Sequence, residues 1–155
     1  MIFSNFMNKN KSLTIEKTFT LAVKNHQEGK TDIAIELYNQ VLKINPKNSA
    51  AHYNLGGIFK KLKENEKAKS YFEKAIEIKP NHANAHYNLG EIFYELKENE
   101  KAKSCYEKAI KINPEHIDAN YNLGIALFAT QQYKNAAEHF KLINYKNSKS
   151  FLLQC

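Results

Sequence analysis

The residues whose side chains are most able to bind a metal ion or to react are a few histidines and two cysteines. His82 and His86 are four residues apart, a spacing that places two imidazoles on one side of a helix, where they can bind a metal ion. No cysteine or carboxylate completes an obvious ligand set around them, so we predict no metal site. Cys105 and Cys155 form neither a disulfide framework nor a metal-ligand pattern. Cys105 is interpreted as a packing residue.

Acidic residues recur in two short runs, at 64–66 and 98–100, each reading Glu-Asn-Glu. Both runs lie in polar stretches, which indicates solvated turns rather than a pair of catalytic carboxylates. No glycine-rich phosphate loop follows a strand pattern, because the sequence contains no strand pattern. We therefore predict that the chain is not an enzyme and that it uses no cofactor.

Composition indicates a folded protein with no membrane segment. Of 155 residues, 43% are hydrophobic and 25% are charged, whereas a disordered chain would have far less apolar sequence. No apolar run approaches the ~18 residues that span a bilayer. The first seven residues make a poor signal peptide. We therefore expect a cytoplasmic protein with no membrane partner.

The net charge of +7 raises the question of nucleic-acid binding. All 23 basic residues are lysine, and arginine is absent. Arginine is the side chain that binds guanine edges and phosphates in a bidentate manner. Its absence argues against a nucleic-acid partner, although a basic surface can bind nucleic acid without sequence preference.

A 34-residue internal repeat is the main signal in the sequence. Residues 49–82 and 83–116 align without a gap, and 24 of the 34 positions are identical. The period extends in both directions, to 15–48 and 117–150. Within each unit, apolar residues recur at helical spacing in two stretches. A polar turn, such as 63–65, separates the stretches, and a proline follows the second one in the first three units.

These features resemble the tetratricopeptide repeat. The residues that carry the resemblance in the second unit are Leu55, Gly56, Ala68, Phe72, Ala75 and Pro80, and the third unit has Leu89, Gly90, Ala102, Tyr106, Ala109 and Pro114. Glycine inside a helix costs about 1 kcal/mol relative to alanine, so Gly56, Gly90 and Gly124 predict a close approach of two helices. We expect Ala68, Ala102 and Ala136 on the facing side.

The resemblance implies an all-α fold, a right-handed solenoid of antiparallel helix pairs. We expect an N-terminal leader at 1–14, repeats at 15–48, 49–82, 83–116 and 117–150, and a short C-terminal helix at 148–155. This last segment is either a cap or the truncated start of a further helix. As a cap, its Phe151 and Leu152 would cover Phe140 and Ile143 of the fourth pair. Asn48, Ser49 and Asn81 are candidates for capping the helix that follows each proline.

The resemblance also implies a concave groove that is lined by the first helix of each pair. The two near-identical repeats differ on their first helices at the places that face this groove, where Gly57, Lys60 and Lys61 are replaced by Glu91, Tyr94 and Glu95. The predicted peptide-binding residues are Tyr53, Asn54, Lys60, Lys61, Tyr87, Asn88, Glu91, Tyr94, Glu95, Tyr121, Asn122, Ile125 and Phe128. A peptide with an acidic, then a basic, then an apolar portion would complement their order.

One asparagine per repeat, Asn54, Asn88 and Asn122, occupies the same place in this predicted groove. An amide has two donors and an acceptor, so such a row can bind a peptide backbone. This resembles the asparagine ladder of the O-linked N-acetylglucosamine transferase repeat domain. In the alternative interpretation, each asparagine bonds to a neighbouring helix.

The predicted function is a protein–protein interaction module, a scaffold or adaptor that binds an extended peptide or a partner segment. The alternative is the substrate-recognition arm of a larger glycosyl-, sulfo- or methyltransferase whose catalytic domain follows Cys155. Family members that bind heat-shock chaperone C-termini use a Lys/Asn/Arg clamp. Only its central asparagine has a counterpart here, which argues against that partner.

Overall fold

The computed structural model describes residues 2–141, with side chains for residues 14–141. Seven helices are complete: α1 (Ile2–Gln27), α2 (Thr31–Ile44), α3 (Ser49–Lys61), α4 (Asn65–Ile78), α5 (Ala83–Glu95), α6 (Asn99–Ile112) and α7 (Ile117–Ala129). An eighth, α8, begins at residue 133 and is described as far as residue 141. The described part of the chain contains no strand, and none of its helices is long and apolar enough to cross a membrane.

The helices pack in adjacent pairs, α1 with α2, α3 with α4 and α5 with α6. This confirms the all-α class of helix pairs. The chain forms two compact units, Met1–Pro80, which holds α1–α4, and Asn81–Cys155, which holds α5–α7 and the start of α8. Helix α1 is continuous through the predicted leader and into the first repeat. The predicted C-terminal helix at 148–155 and its contact with Ile143 lie outside the described residues.

Prolines and polar caps fix the ends of the helices. The second helix of each of the first three pairs ends two residues before a proline: Ile44 before Pro46, Ile78 before Pro80 and Ile112 before Pro114. The Asn48 side chain caps α3, as predicted, by accepting a hydrogen bond from the Ala51 N–H at 2.9 Å. Asn81 does not cap α5, because His82 occupies the capping position. At α7 a histidine does cap, since Nδ1 of His116 accepts from the Ala119 N–H.

The turn within each pair has the same backbone in every repeat. Lys63, Lys97 and Gln131 each have a φ of 62°, and Gly29, at the same place in the first repeat, has a φ of 75°. After α3, the Lys63 N–H donates to the Lys60 carbonyl at 3.0 Å and the Glu64 N–H donates to the Phe59 carbonyl at 2.9 Å. These two bonds form a Schellman motif, which satisfies carbonyls that the helix end leaves open. The turn therefore occupies 62–64, and Asn65 already belongs to α4.

The repeat glycines lie against aromatic rings. A β-carbon on Gly56 would lie 2.7 Å from Cε1 of Phe72, and one on Gly90 would lie 2.6 Å from Cε1 of Tyr106. The predicted close approach within each pair is present, but the atoms nearest to the glycine belong to an aromatic ring rather than to alanine. The three facing alanines, Ala68, Ala102 and Ala136, are buried in the core.

Candidate functional site

The thirteen predicted binding residues lie on three helices, and none of them is buried. Helix α3 of the first unit carries Tyr53, Asn54, Lys60 and Lys61. In the second unit, α5 carries Tyr87, Asn88, Glu91, Tyr94 and Glu95, and α7 carries Tyr121, Asn122, Ile125 and Phe128. Each set is therefore available at the surface of its own unit.

The repeated tyrosines pack against the second helix of their own pair. The ring of Tyr53 lies 5.8 Å from that of Phe72, and the ring of Tyr87 lies 6.0 Å from that of Tyr106. Tyr121 repeats the contact with Phe140 at 5.8 Å and is nevertheless 50% exposed. These rings are anchored on one side, which lowers the entropy that a binding partner would have to remove from them.

The asparagine amides bond to tyrosine hydroxyls of the preceding repeat. Nδ2 of Asn54 donates to the Tyr38 hydroxyl at 3.0 Å, and Nδ2 of Asn122 donates to the Tyr87 hydroxyl at 3.3 Å. The Asn122 side chain also lowers the pKa of Tyr106, against the larger effect of burial. At Asn54 and Asn122, these contacts match the alternative in which the asparagine bonds to a neighbouring helix.

An open cavity of about 310 Å³ lies in the second unit. Its walls come from three helices: Glu91, Tyr94 and Glu95 of α5, Tyr106 of α6, and Asn122 and Ile125 of α7. We call these six residues the acidic pocket. Five of the six were predicted as binding residues from the sequence, and the fold brings those five together within one unit.

The charge of Glu91 acts on Tyr106 of the acidic pocket and on Tyr87, which lies on the same helix as Glu91. Burial raises the pKa of Tyr87 above its ordinary value, and the negative charge of Glu91 and a hydrogen bond to its carboxylate raise it further. Burial and then Glu91 likewise raise the pKa of Tyr106. A negative charge that disfavours phenolate in this way favours a positive charge at the same place.

Next to the acidic pocket, α7 presents apolar surface. Phe128 is 61% exposed, and its ring lies 5.1 Å from that of Tyr133, which begins α8. The first unit is different in character. Lys60 is half-buried and Lys61 is exposed near the end of α3. Burial and then the charge of Lys61 lower the pKa of His26, so this end of α3 is electropositive.

The histidines and Cys105 have structural environments. His86 and Cys105 are buried, and His116 caps α7 as described above. In the described part of the chain, no group of three histidine, cysteine, aspartate or glutamate side chains could hold a metal ion.

Tyr106 was not among the binding residues predicted from the sequence. It was interpreted only as a core aromatic, and its ring is indeed buried, at 1% exposure. Its hydroxyl, however, interacts with Asn122 of the next repeat, which lowers the pKa of Tyr106. The sequence does distinguish this residue. The same repeat position holds Tyr38, Phe72, Tyr106 and Phe140, so a hydroxyl is present in alternate repeats only.

Models of known protein families match most of the chain, and all of them describe the same kind of repeat. Three family models match, a TPR repeat at residues 25–63 and two tetratricopeptide repeats at 47–115 and 87–148. Together they support the tetratricopeptide repeat family along most of the chain. No curated protein sequence matches the chain.

Solved structures share the fold. A crystal structure of MamA is 27% identical, covers 88% of this chain and 80% of its own, and has a TM-score of 0.81. The first TPR of Spaghetti (RPAP3), bound to the HSP90 peptide SRMEEVD, is 23% identical over 77% of this chain and 95% of its own, with a TM-score of 0.73. An O-GlcNAc transferase mutant from Thermobaculum terrenum is 25% identical over 76% of this chain and 22% of its own, with a TM-score of 0.69.

Proposed function

We propose that this chain, a tetratricopeptide-type helical repeat protein, is a non-catalytic interaction module that binds an extended segment of a partner protein. The proposed binding surface of each unit is formed by side chains of the first helices of its pairs. Such proteins are typically scaffolds, and five of the ten places at which two otherwise near-identical repeats differ lie on their first helices.

The acidic pocket is the observation that carries the proposal. A binding site needs a concave surface with a few converging polar groups and apolar walls. The pocket has this composition, since carboxylates of α5 and the amide of Asn122 lie beside Tyr94 and Ile125. Tyr94 is 41% exposed, and an accessible tyrosine is a frequent hot-spot residue.

An asparagine ladder would supplement the pocket but would not suffice for binding. One hydrogen bond contributes about 0.5–1.5 kcal/mol net, whereas association costs at least ~4 kcal/mol. The amides of Asn54 and Asn122 each already donate to a tyrosine hydroxyl, which uses part of their capacity for a peptide backbone. Side-chain pockets must therefore supply most of the affinity.

To test the proposal, the purified chain is incubated with an array of peptides of varied sequence, and its binding to each peptide is measured. We expect a family of peptides to bind with micromolar affinity. The variant Tyr94→Ala should weaken binding about tenfold, which corresponds to ~1.4 kcal/mol. The control is Lys108→Ala, which removes an exposed side chain from α6. If no peptide binds, or if both variants weaken binding equally, the proposal is wrong.

The acidic pocket also argues against the peptide held by the RPAP3 repeat domain. The sequence SRMEEVD contains three acidic residues and one basic residue, and Glu91 and Glu95 would repel its carboxylates. We therefore propose that heat-shock chaperone C-termini are not partners. A synthetic SRMEEVD peptide should bind at least tenfold more weakly than the peptides selected on the array.

A second candidate function is a recognition arm of a larger transferase. The likeness to the O-GlcNAc transferase from Thermobaculum terrenum favours it, because the matched region is 22% of that longer chain. Reading the gene beyond codon 155 distinguishes the two candidates. A transferase domain in the same reading frame supports the arm, whereas a stop codon excludes it.

A further inference from the structure

We propose that the acidic pocket receives a basic side chain, lysine or arginine, from the partner polypeptide. The chain would thereby select basic segments even though its own net charge is +7. This inference rests on the proposed interaction function and assigns the chemistry of its partner.

The first argument is the placement of the carboxylates. Glu91 and Glu95 both line the pocket from α5, and residues four apart on a helix have β-carbons about 5–6 Å apart. Two carboxylates on β-carbons at that spacing can reach the two sides of one ammonium or guanidinium group. A single cation would then interact with both of them.

The second argument is the nature of the remaining walls. Tyr94 and Ile125 offer aromatic and apolar surface beside the carboxylates, and Tyr106, whose ring is buried, also lines the pocket. Lysine and arginine carry a flexible apolar stem below a charged head, and a cation near a tyrosine ring gains further attraction. The pocket therefore matches both parts of a basic side chain, whereas a small inorganic cation would leave the apolar walls unused.

The third argument is the direction of the electric field. Glu91 raises the pKa of both Tyr87 and Tyr106, and Asp118 acts in the same direction on Tyr87. Glu91 of α5 and Asp118 of α7 therefore make this region electronegative. A phosphate-bearing ligand would be repelled from it.

The fourth argument is a comparison within the chain. The repeat at 49–82 has Gly57, Lys60 and Lys61 where the repeat at 83–116 has Glu91, Tyr94 and Glu95. The two repeats otherwise share 24 of 34 residues. At these three places the charge is reversed and an aromatic ring is added, so the acidic and aromatic character of the α5 wall belongs to this repeat and not to the repeat pattern.

The first experiment tests the pocket without a peptide. The chain is labelled with ¹³C at tyrosine, and n-butylammonium chloride, which reproduces the head and stem of lysine, is added while the NMR spectrum is recorded. We expect saturable shifts of the Tyr94 and Tyr106 signals, with a dissociation constant in the millimolar range. Butanol, which has a similar stem and no charge, should give shifts at least fivefold smaller.

Paired charge removal provides the matched control. The double variant Glu91→Gln, Glu95→Gln should abolish the saturable shifts. The double variant Glu73→Gln, Glu77→Gln removes two exposed carboxylates at the same spacing on α4 and should leave them unchanged. Circular dichroism of both variants checks that each retains its helices. Shifts that survive loss of Glu91 and Glu95, or the absence of shifts in the original chain, would overturn the inference.

The second experiment uses the peptides selected on the array. Each lysine or arginine is replaced in turn by norleucine, which keeps an apolar stem and removes the charge. We expect one replacement per peptide to weaken binding at least tenfold, and the Glu91→Gln, Glu95→Gln variant to show no further loss with that peptide. Full affinity of every norleucine peptide contradicts the inference but leaves the interaction function intact. An array without any binder contradicts the interaction function, and the butylammonium result then judges the pocket alone.

Discussion

Gly56 of α3 lies directly against the ring of Phe72 of α4, so that a β-carbon on this glycine would be 2.7 Å from Cε1 of the phenylalanine. Real β-carbon contacts are longer than this, and the ring of Phe72 is fully buried. The same contact recurs between Gly90 and Tyr106. We infer that it sets the helix separation within the pairs α3–α4 and α5–α6, and at Gly90 it also lies against Tyr106, which lines the acidic pocket.

The variant Gly56→Ala should destabilise the chain because a closely packed core has no room for the added methyl group. Gly57→Ala is the control, since a β-carbon there meets nothing within 4 Å and alanine gains about 1 kcal/mol of helix propensity over glycine. Both substitutions gain the same helix propensity, so the difference between their free energies of unfolding measures the clash with Phe72. We expect Gly56→Ala to have a free energy of unfolding ~1–3 kcal/mol lower than Gly57→Ala.

Urea unfolding followed by circular dichroism measures this difference. Equal stability of the two variants would show that Phe72 moves away without cost. In that case the glycine would not set the helix separation.

The helices and their pairing could be predicted from the sequence because they depend on local patterns. The 34-residue period, the prolines and the apolar spacing determined the helix pairs. The contacts between repeats could not be predicted in the same way, because they depend on which side chains meet across a helix interface. The amide of Asn54 meeting the hydroxyl of Tyr38 is one example. The ring of Phe72, rather than Ala68, against Gly56 is another.

Tyr106 shows why the site was predicted only in part. Its helical place and its buried ring both indicate a core residue, and a repeat pattern does not distinguish tyrosine from phenylalanine there. The hydroxyl differs from a purely apolar core group because the Asn122 side chain of the next repeat interacts with it and lowers the pKa of Tyr106. The other five residues of the pocket were predicted because they lie on first helices. Four occupy places at which the two near-identical repeats differ, and Asn122 occupies the place of the repeated asparagine.

The hydrogen bond between Asn54 and Tyr38 should contribute about 0.5–1.5 kcal/mol to stability. Tyr38→Phe removes the hydroxyl without changing the ring, and phenylalanine already occupies the same place at Phe72. Asn54→Ala removes the other partner. In a double-mutant cycle, the double variant should be less destabilised than the sum of the single variants, because the bond can be lost only once.

Thermal or urea unfolding of the four proteins in this cycle gives the coupling energy. Strictly additive effects would mean that the 3.0 Å contact contributes nothing to stability. The amide of Asn54 could then bind a peptide backbone at no cost in stability. That result would favour a role for Asn54 in an asparagine ladder.

Ionisation of Tyr87 should depend on Glu91. Burial, followed by the charge of Glu91 and the hydrogen bond to its carboxylate, holds the pKa of Tyr87 above the ordinary value of about 10. Because the pKa in the folded state is raised, the stability linked to this group is fully present below pH ~10 and falls as the pH rises above it. The variant Glu91→Gln removes the charge but keeps the burial, so the pKa of Tyr87 should fall without returning to 10.

The ¹³Cζ signal of Tyr87 in an NMR titration measures this shift. Because the chain has no tryptophan, tyrosine ionisation can also be followed by absorbance. With Glu73→Gln, which removes an exposed carboxylate on α4, the Tyr87 titration should be unchanged. A Tyr87 pKa that is unaffected by Glu91→Gln would mean that burial alone sets it, and that the field of Glu91 does not reach the pocket.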